Sequence, residues 1–203
     1  MDAALVHLRA ADPVLGCLIE QIGPYALQRD PNHFYALLSS IVAQQISVRA
    51  AATIMGRIEA LFPVEEGITA EGALAAGPEA LRAAGLSGVK TRYVLDLAQR
   101  VADGQLDLER LATLDDDAVI AELVQLRGIG RWTAEMFLIF SLARPDVLPV
   151  DDLGCRAAVK RHYGLAKLPG SDELRALGAR WAPYRTVATW YLWRSLGNTP
   201  RGG

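Results

Sequence analysis

Apolar residues along this chain recur at spacings of three and four, and no segment alternates convincingly with period two. A chain with that pattern has helix faces to bury and no half-buried strands to pair, so the expected fold is all-α, with about ten short helices and short connections. FYALLSSIVAQQISVRAAATIMGRIEALF (34–62) predicts two helices. The first is apolar almost all round and is expected to be buried, and Ser47 is placed to cap the second. Pro63 and Gly67 mark a break, and GALAAGPEALRAAG predicts short helical pieces with glycines at their C-caps. KTRYVLDLAQRVADG (90–104) carries Tyr93, Val94, Leu97, Ala98 and Val101 on one face and ends at Gly104. LDDDAVIAELVQL (114–126) opens with aspartates, which suit the positive end of a helix.

The strongly apolar WTAEMFLIFSLA (132–143) must lie largely buried, and Pro145 and Pro149 keep residues 144–149 extended. DDLGCRAAVKRHYG (151–164) and SDELRALGARW (171–181) each begin with Asp or Ser of capping type. PYRTVATWYLWRSLG (183–197) predicts a last helix, followed by a frayed tail, NTPRGG.

The 203 residues suffice for one substantial core or two small lobes, and at 51% hydrophobic the chain is globular rather than disordered. Charges or turn residues break every apolar run, so no membrane span is expected, and MDAALVHLRAADP lacks the basic-then-apolar pattern of a secretory signal. The two cysteines, Cys17 and Cys155, stand in no CxxC or iron–sulfur spacing, which predicts a reduced, cytoplasmic protein without a thiolate metal site. The net charge of -2 hides an asymmetry: residues 1–126 carry a net -8 and residues 127–203 a net +6. One basic part suffices to bind a polyanion, although arginines that merely solvate helix faces would give the same count.

Between two of the predicted helices stands LVQLRGIGRWTAEM, Leu123 to Met136. Gly128 and Gly130 permit backbone conformations closed to other residues and let another molecule approach the main chain. The next helix offers free amides at its N-terminus, where an anion is favoured. With Arg127 and Arg131 alongside, such a turn suits a DNA phosphate, which positions a duplex without reading it. A turn serving only packing would contain the same glycines.

LRGIGRWTAEM followed by RPDVLPVDDLG (144–154) resembles the helix–hairpin–helix and Gly/Pro–Asp signature of the base-excision DNA glycosylases. Within that superfamily the chain is most similar to the DNA-3-methyladenine glycosylase II, or alkylpurine, family. LLSSIVAQQIS resembles that family's early buried helix and turn, GLSGVKTRYVLDLA its second hairpin-like segment, and RWAPYRTVATWYLW its C-terminal helix. The likeness runs from about residue 34 to residue 197.

The resemblance implies a two-lobed all-α fold without an N-terminal β domain. A central lobe (33–144) would carry the hairpin at about 115–143, and residues 1–32 with 145–203 would form a second lobe bearing the catalytic aspartate. An iron–sulfur cluster is not expected, for want of four cysteines. Matching from Trp132 without a gap makes Asp152 the catalytic carboxylate and Asp151 a supporting cap, with Asp151 as the fallback. Cleavage of an N-glycosidic bond builds positive charge on the sugar, which a fixed carboxylate stabilises while orienting water.

Bifunctional members of the superfamily hold a lysine nucleophile where this chain has Trp132, so the resemblance implies a monofunctional hydrolase. Trp132 and Trp193 match aromatic pocket positions, and Met136 stands where bacterial members often have tyrosine. Trp193 could equally be core, since Trp190 and Tyr191 share its helix. Gln45 matches the residue that fills the gap left by an extruded base, with Gln44 or Ile46 as alternatives.

Phosphate contacts are implied at Arg127, Gly128, Gly130, Arg131 and Thr133. A Na+ or K+ ion on the carbonyls of Val124, Leu126 and Ile129 is implied as well, and no other cofactor. The expected partner is double-stranded DNA with damaged bases, met by a monomer in the cytoplasm, at the nucleoid in a bacterium. Two further functions fit less well. A non-catalytic DNA-binding module has no use for the Pro-Val-Asp-Asp segment, and a glycosylase/lyase for oxidised bases lacks its lysine.

Overall fold

A computed structural model describes residues 1–63, 65 and 67–197, and of Val48 the backbone alone. The NTPRGG tail lies outside the described residues. Among these residues there are helices and no strands, as the periodicity requires. The chain divides into two compact units, Asp30–Leu142 and Met1–Arg29 together with Ala143–Gly203.

The first helices, α1 (Asp2–Ala11) and α2 (Pro13–Ile22), belong to the discontinuous unit. The continuous unit holds α3 (His33–Ala43), α4 (Val48–Glu59), α5 (Ala70–Ala83), α6 (Gly88–Ala102), α7 (Leu108–Leu111), α8 (Asp116–Leu123) and α9 (Arg131–Phe140). α10 (Leu153–His162), α11 (Ser171–Gly178) and α12 (Arg185–Ser195) complete the discontinuous unit.

Helix α3 packs against α4, α6, α7 and α9, and Leu37, Leu38 and Ile41 are fully buried. Apolar on every side, it is stable only as the centre of a bundle. Its buried Ser39 and Ser40 hydroxyls donate to the Ala36 carbonyl at 3.1 and 2.8 Å, so neither is left unsatisfied. Ser47 caps α4 by accepting from the Ala50 amide, as its position predicts. The 72–85 segment kinks at Gly77, whose φ of 73° precedes Pro78, so α5 consists of two pieces as the glycines indicated.

In the discontinuous unit α2 packs against α1 and α12, and α12 against α10. At the junction of α1 and α2 stands a buried carboxylate. Asp12, 1% exposed, accepts from the Val14 and Leu15 amides on Oδ1 and from Tyr163 Oη and Trp181 Nε1 on Oδ2, at 2.6 and 2.8 Å. Four donors compensate the burial of this charge and join the chain's beginning to its C-terminal third. Burial, and then the Asp12 carboxylate, push the Tyr163 phenol far above its ordinary pKa.

Two capping expectations are corrected. Asp151 does not support α10: the residue directly before Leu153 is Asp152, and it is the Asp152 carboxylate that receives the Cys155 amide. Asp151 lies one position too early and instead accepts from the Ser171 hydroxyl. Ser171 in turn is not the cap of α11, because Gly170 precedes that helix and Glu173 folds back onto the Gly170 amide at 2.7 Å.

Candidate active site and DNA-binding hairpin

The aspartate site is assembled inside the discontinuous unit. Residues 144–152 lead from the end of α9 to α10 and lie against the start of α12. Arg185 grips Asp146 with two parallel bonds of 2.7 Å, and its amide adds a third at 3.1 Å. Burial raises the Asp146 carboxyl, but the Arg185 hydrogen bonds and charge outweigh it and hold the pKa below the usual value. Thr186 accepts from the Val147 amide and donates to the Arg144 carbonyl, while its own amide reaches Pro145 O. Residues 145–146 turn rather than continuing the extended run expected of 144–149, and the segment gains from Thr186 and Arg185 the partners it cannot find in itself.

At the end of this segment Asp152 Oδ1 accepts two short bonds, 2.6 Å from the Cys155 amide and 2.7 Å from the Trp193 indole N–H. Trp193 is 5% exposed and lies on α12, the helix that also holds the loop. One helix therefore sets both the approach of the loop and the orientation of its carboxylate. A Cβ on Gly154 would stand 3.1 Å from Asp152 Oδ1 and 3.2 Å from the Trp193 ring, so this glycine keeps the hydrogen bond uncrowded. Trp193 is buried, as a core residue would be, and its indole is bonded to the carboxylate, a partner that neither sequence reading named. Cys155 is buried beneath Asp152, and burial followed by the carboxylate pushes its thiol far up, which keeps it un-ionised.

The hairpin belongs to the continuous unit, between α8 and α9. Leu126 to Ile129 form a four-residue turn closed by a 3.1 Å bond from the Ile129 amide to the Leu126 carbonyl. Its two glycines serve different ends. Gly128 has φ 81°, and a Cβ there would stand 2.1 Å from the Tyr93 ring of α6. Gly130 has φ -94° and ψ 175°, an ordinary extended conformation, with nothing within 4 Å of a Cβ. The expectation that both glycines supply special dihedrals is therefore corrected: only Gly128 does. Gly130 caps α9 without any side-chain hydrogen bond to the first turn of that helix.

Arg127 is exposed, whereas Arg131 is drawn along α9 to the buried Glu135 at 3.0 Å. Thr133 is buried, and its hydroxyl lies 3.5 Å from Gln44 Nε2. On α9, Trp132 is half-buried and Met136, one turn later, is 6% exposed. Of the residues that sequence reading left open as a wedge, Gln44 is committed, because its amide donates to the Gly128 carbonyl at 2.7 Å. Gln45 is exposed at φ 57°, and Ile46 is 38% exposed.

Residues 38–183 match the HhH-GPD superfamily of base excision DNA repair proteins. The chain belongs to this superfamily. It is 32% identical to DNA-3-methyladenine glycosylase 1 of Schizosaccharomyces pombe over 96% of this chain and 87% of that one. A crystal structure of a DNA-3-methyladenine glycosidase from Bacillus halodurans superposes with a TM-score of 0.81 at 41% identity, covering 96% of this chain and 89% of the other. The 3-methyladenine DNA glycosylase of S. pombe, in complex with abasic DNA, gives 0.88 at 30% identity, covering 99% and 100%. Among curated relatives the chain spans from 39% to 90% of the relative's own length. Within the HhH-GPD superfamily, this chain has tryptophan at position 132 and carries Asp152 as a cap bonded to tryptophan.

Among the described residues no three His, Cys, Asp or Glu side chains gather into a metal site, and no helix is long and apolar enough to cross a membrane.

Proposed function

We propose that this protein is a monofunctional DNA glycosylase that hydrolyses the N-glycosidic bond of alkylated purines, such as 3-methyladenine and 7-methylguanine, in double-stranded DNA and so begins base excision repair. The observation that carries the reading is the Asp152 carboxylate, held by the Cys155 amide and the Trp193 indole, in a chain with tryptophan rather than lysine at position 132.

The helix start of α9, which no side chain caps, binds a DNA phosphate through its amides, with Arg127 adding charge. The damaged base leaves the stack and Gln45 occupies the gap. An alkylated purine carries positive charge, and Trp132 attracts it by stacking, worth about 0.5–2 kcal/mol per cation–π contact. As the glycosidic bond breaks, Asp152 stabilises the developing oxocarbenium ion and orients the water that attacks the sugar. Water adds to the sugar carbon, the base departs with the bonding pair, and an intact abasic site remains. Having no lysine at position 132, the chain forms no Schiff base there.

The Val124, Leu126 and Ile129 carbonyls offer neutral hard oxygens suited to Na+ or K+, and Leu126 O keeps a lone pair after accepting from Ile129. A bound cation would add to the attraction for phosphate. The protein acts on DNA as a monomer.

Incubation with methylated duplex DNA should release free alkylpurines and leave alkali-labile sites, with no covalent complex trapped by borohydride. Absence of base release would refute the assignment, and a trapped complex would move it to the lyase class.

A further inference from the structure

Lys90, in the first turn of α6, sits where a cation is least favoured by its own helix, at the positive end of the dipole. Its ammonium turns away and donates at 2.7 Å to the Val42 carbonyl and at 2.7 Å to the Gln44 carbonyl, at the C-terminal end of α3. Those acceptors are among the carbonyls that a helix end leaves without partners. From the same residue, the Gln44 side chain reaches across 2.7 Å to the Gly128 carbonyl of the hairpin. Between this doubly tied residue and Ser47, the cap of α4, stand only Gln45 and Ile46, both exposed. Gln45 holds a left-handed φ of 57°, which residues other than glycine seldom adopt unless their neighbours impose it. Lys90, Gln44, Gln45 and Gly128 all lie in the continuous unit.

We propose that Lys90 is a positioning residue for base extrusion: bound to the Val42 and Gln44 carbonyls, it locks the 44–46 turn in register with the DNA-binding hairpin and so presents Gln45 to the gap in the stack. This rests on the reading of the protein as a base-extruding glycosylase. Lys90 touches neither DNA nor the reacting atoms. It acts through the backbone of Gln44, and the hairpin that grips the phosphate and the turn that enters the stack become one rigid piece. Partial burial pushes the Lys90 pKa below that of an ordinary lysine, in keeping with an ammonium withdrawn from water onto carbonyls.

The test compares affinities of the full chain for two duplexes, one undamaged and one with a tetrahydrofuran abasic-site analogue. Their ratio isolates gap filling from phosphate contacts and needs no catalysis. Gln45→Ala and Lys90→Met should each lower the preference for the gapped duplex about tenfold, the loss expected for one charge-assisted anchor, with undamaged-duplex affinity little changed. Lys90→Arg should recover most of it. Thermal unfolding identifies a misfolded Lys90→Met, in which case Gln44→Met, cutting the tie to Gly128, carries the same expectation. The proposal is overturned if Lys90→Met keeps the preference, if it weakens both duplexes equally, or if Gln45→Ala keeps the preference. Failure of the wild type to release methylated bases would instead refute the proposed function, in a different assay.

Discussion

The hairpin at Gly128 and the loop at Asp152 are both tight, glycine-bearing connections ahead of a helix, yet they are built in opposite ways. The hairpin offers main chain: Gly130 caps α9 with no side chain, Thr133 is buried, and Arg131 is occupied by Glu135. The loop offers a side chain, Asp152, which itself caps α10 and is oriented by Trp193. The difference fits the tasks proposed for them. Holding a phosphate suits backbone amides at a helix start that no side chain caps. Stabilising a sugar cation needs one charge in one orientation, and hydrogen bonds to that charge supply the orientation.

The largest expected effect breaks the loop and spares the hairpin. Asp152→Asn should lower single-turnover base release by about 10²–10³-fold, comparable to losing one preorganised electrostatic group, while DNA affinity is retained. Asn can still cap α10, so the melting temperature should hardly move. Base release that survives intact in this variant would sink the assignment of the carboxylate.

Next come the two hairpin glycines. Gly128→Ala places a methyl group into the Tyr93 ring at a φ of 81° and should destabilise by about 2 kcal/mol or more, read by denaturant unfolding. Gly130→Ser should leave stability unchanged or raise it by about 0.3 kcal/mol, because serine caps as well as glycine does. The same hydroxyl would claim an amide meant for phosphate, so duplex affinity should fall as stability holds. Equal behaviour of the two variants would erase the distinction drawn between these glycines.

Trp193→Phe keeps the bulk and removes the indole N–H. Base release should drop about tenfold, the worth of one charge-assisted hydrogen bond, without loss of DNA binding. A larger fall in affinity than in rate would return Trp193 to the role of pocket wall.

The smallest effect concerns pH. The Asp146 carboxyl lies below its ordinary pKa when folded, so its pair with Arg185 contributes stability that is full above the unfolded carboxyl value. That contribution is lost as pH falls through the depressed folded value. Asp146→Asn should cost about 1 kcal/mol at neutral pH and flatten this part of the acid limb in urea titrations followed from neutral to acid pH. An unchanged acid limb would separate loop stability from this pair.

Much of the site was legible because its residues are adjacent in sequence. Gly128 to Thr133 and Pro145 to Asp152 are read along one strand of text, and Ser47 and Asp152 stand at positions where a helix must begin. The partners were not legible. Trp193 bonds Asp152 across 41 positions, Lys90 reaches Val42 across 48, and Gln44 reaches Gly128 across 84. Arg131 and Glu135 could have been paired from their helical spacing alone. With two adjacent aspartates ahead of Leu153, sequence does not distinguish which one caps α10, because a helix start can shift by one residue without changing the pattern.

By itself, the order of residues determined that this chain is helical, where most of its helices begin and end, and which short segments carry a glycine turn or an aspartate, because those depend on spacing and on local backbone limits. Only the tertiary structure decided that Gly128 is packed while Gly130 is open, that Trp193 bonds Asp152, and that Lys90 holds the Val42 and Gln44 carbonyls while the Gln44 side chain reaches the hairpin. Each of these depends on which distant groups are brought within hydrogen-bonding or van der Waals distance, and that is settled by how apolar faces pack rather than by any local pattern.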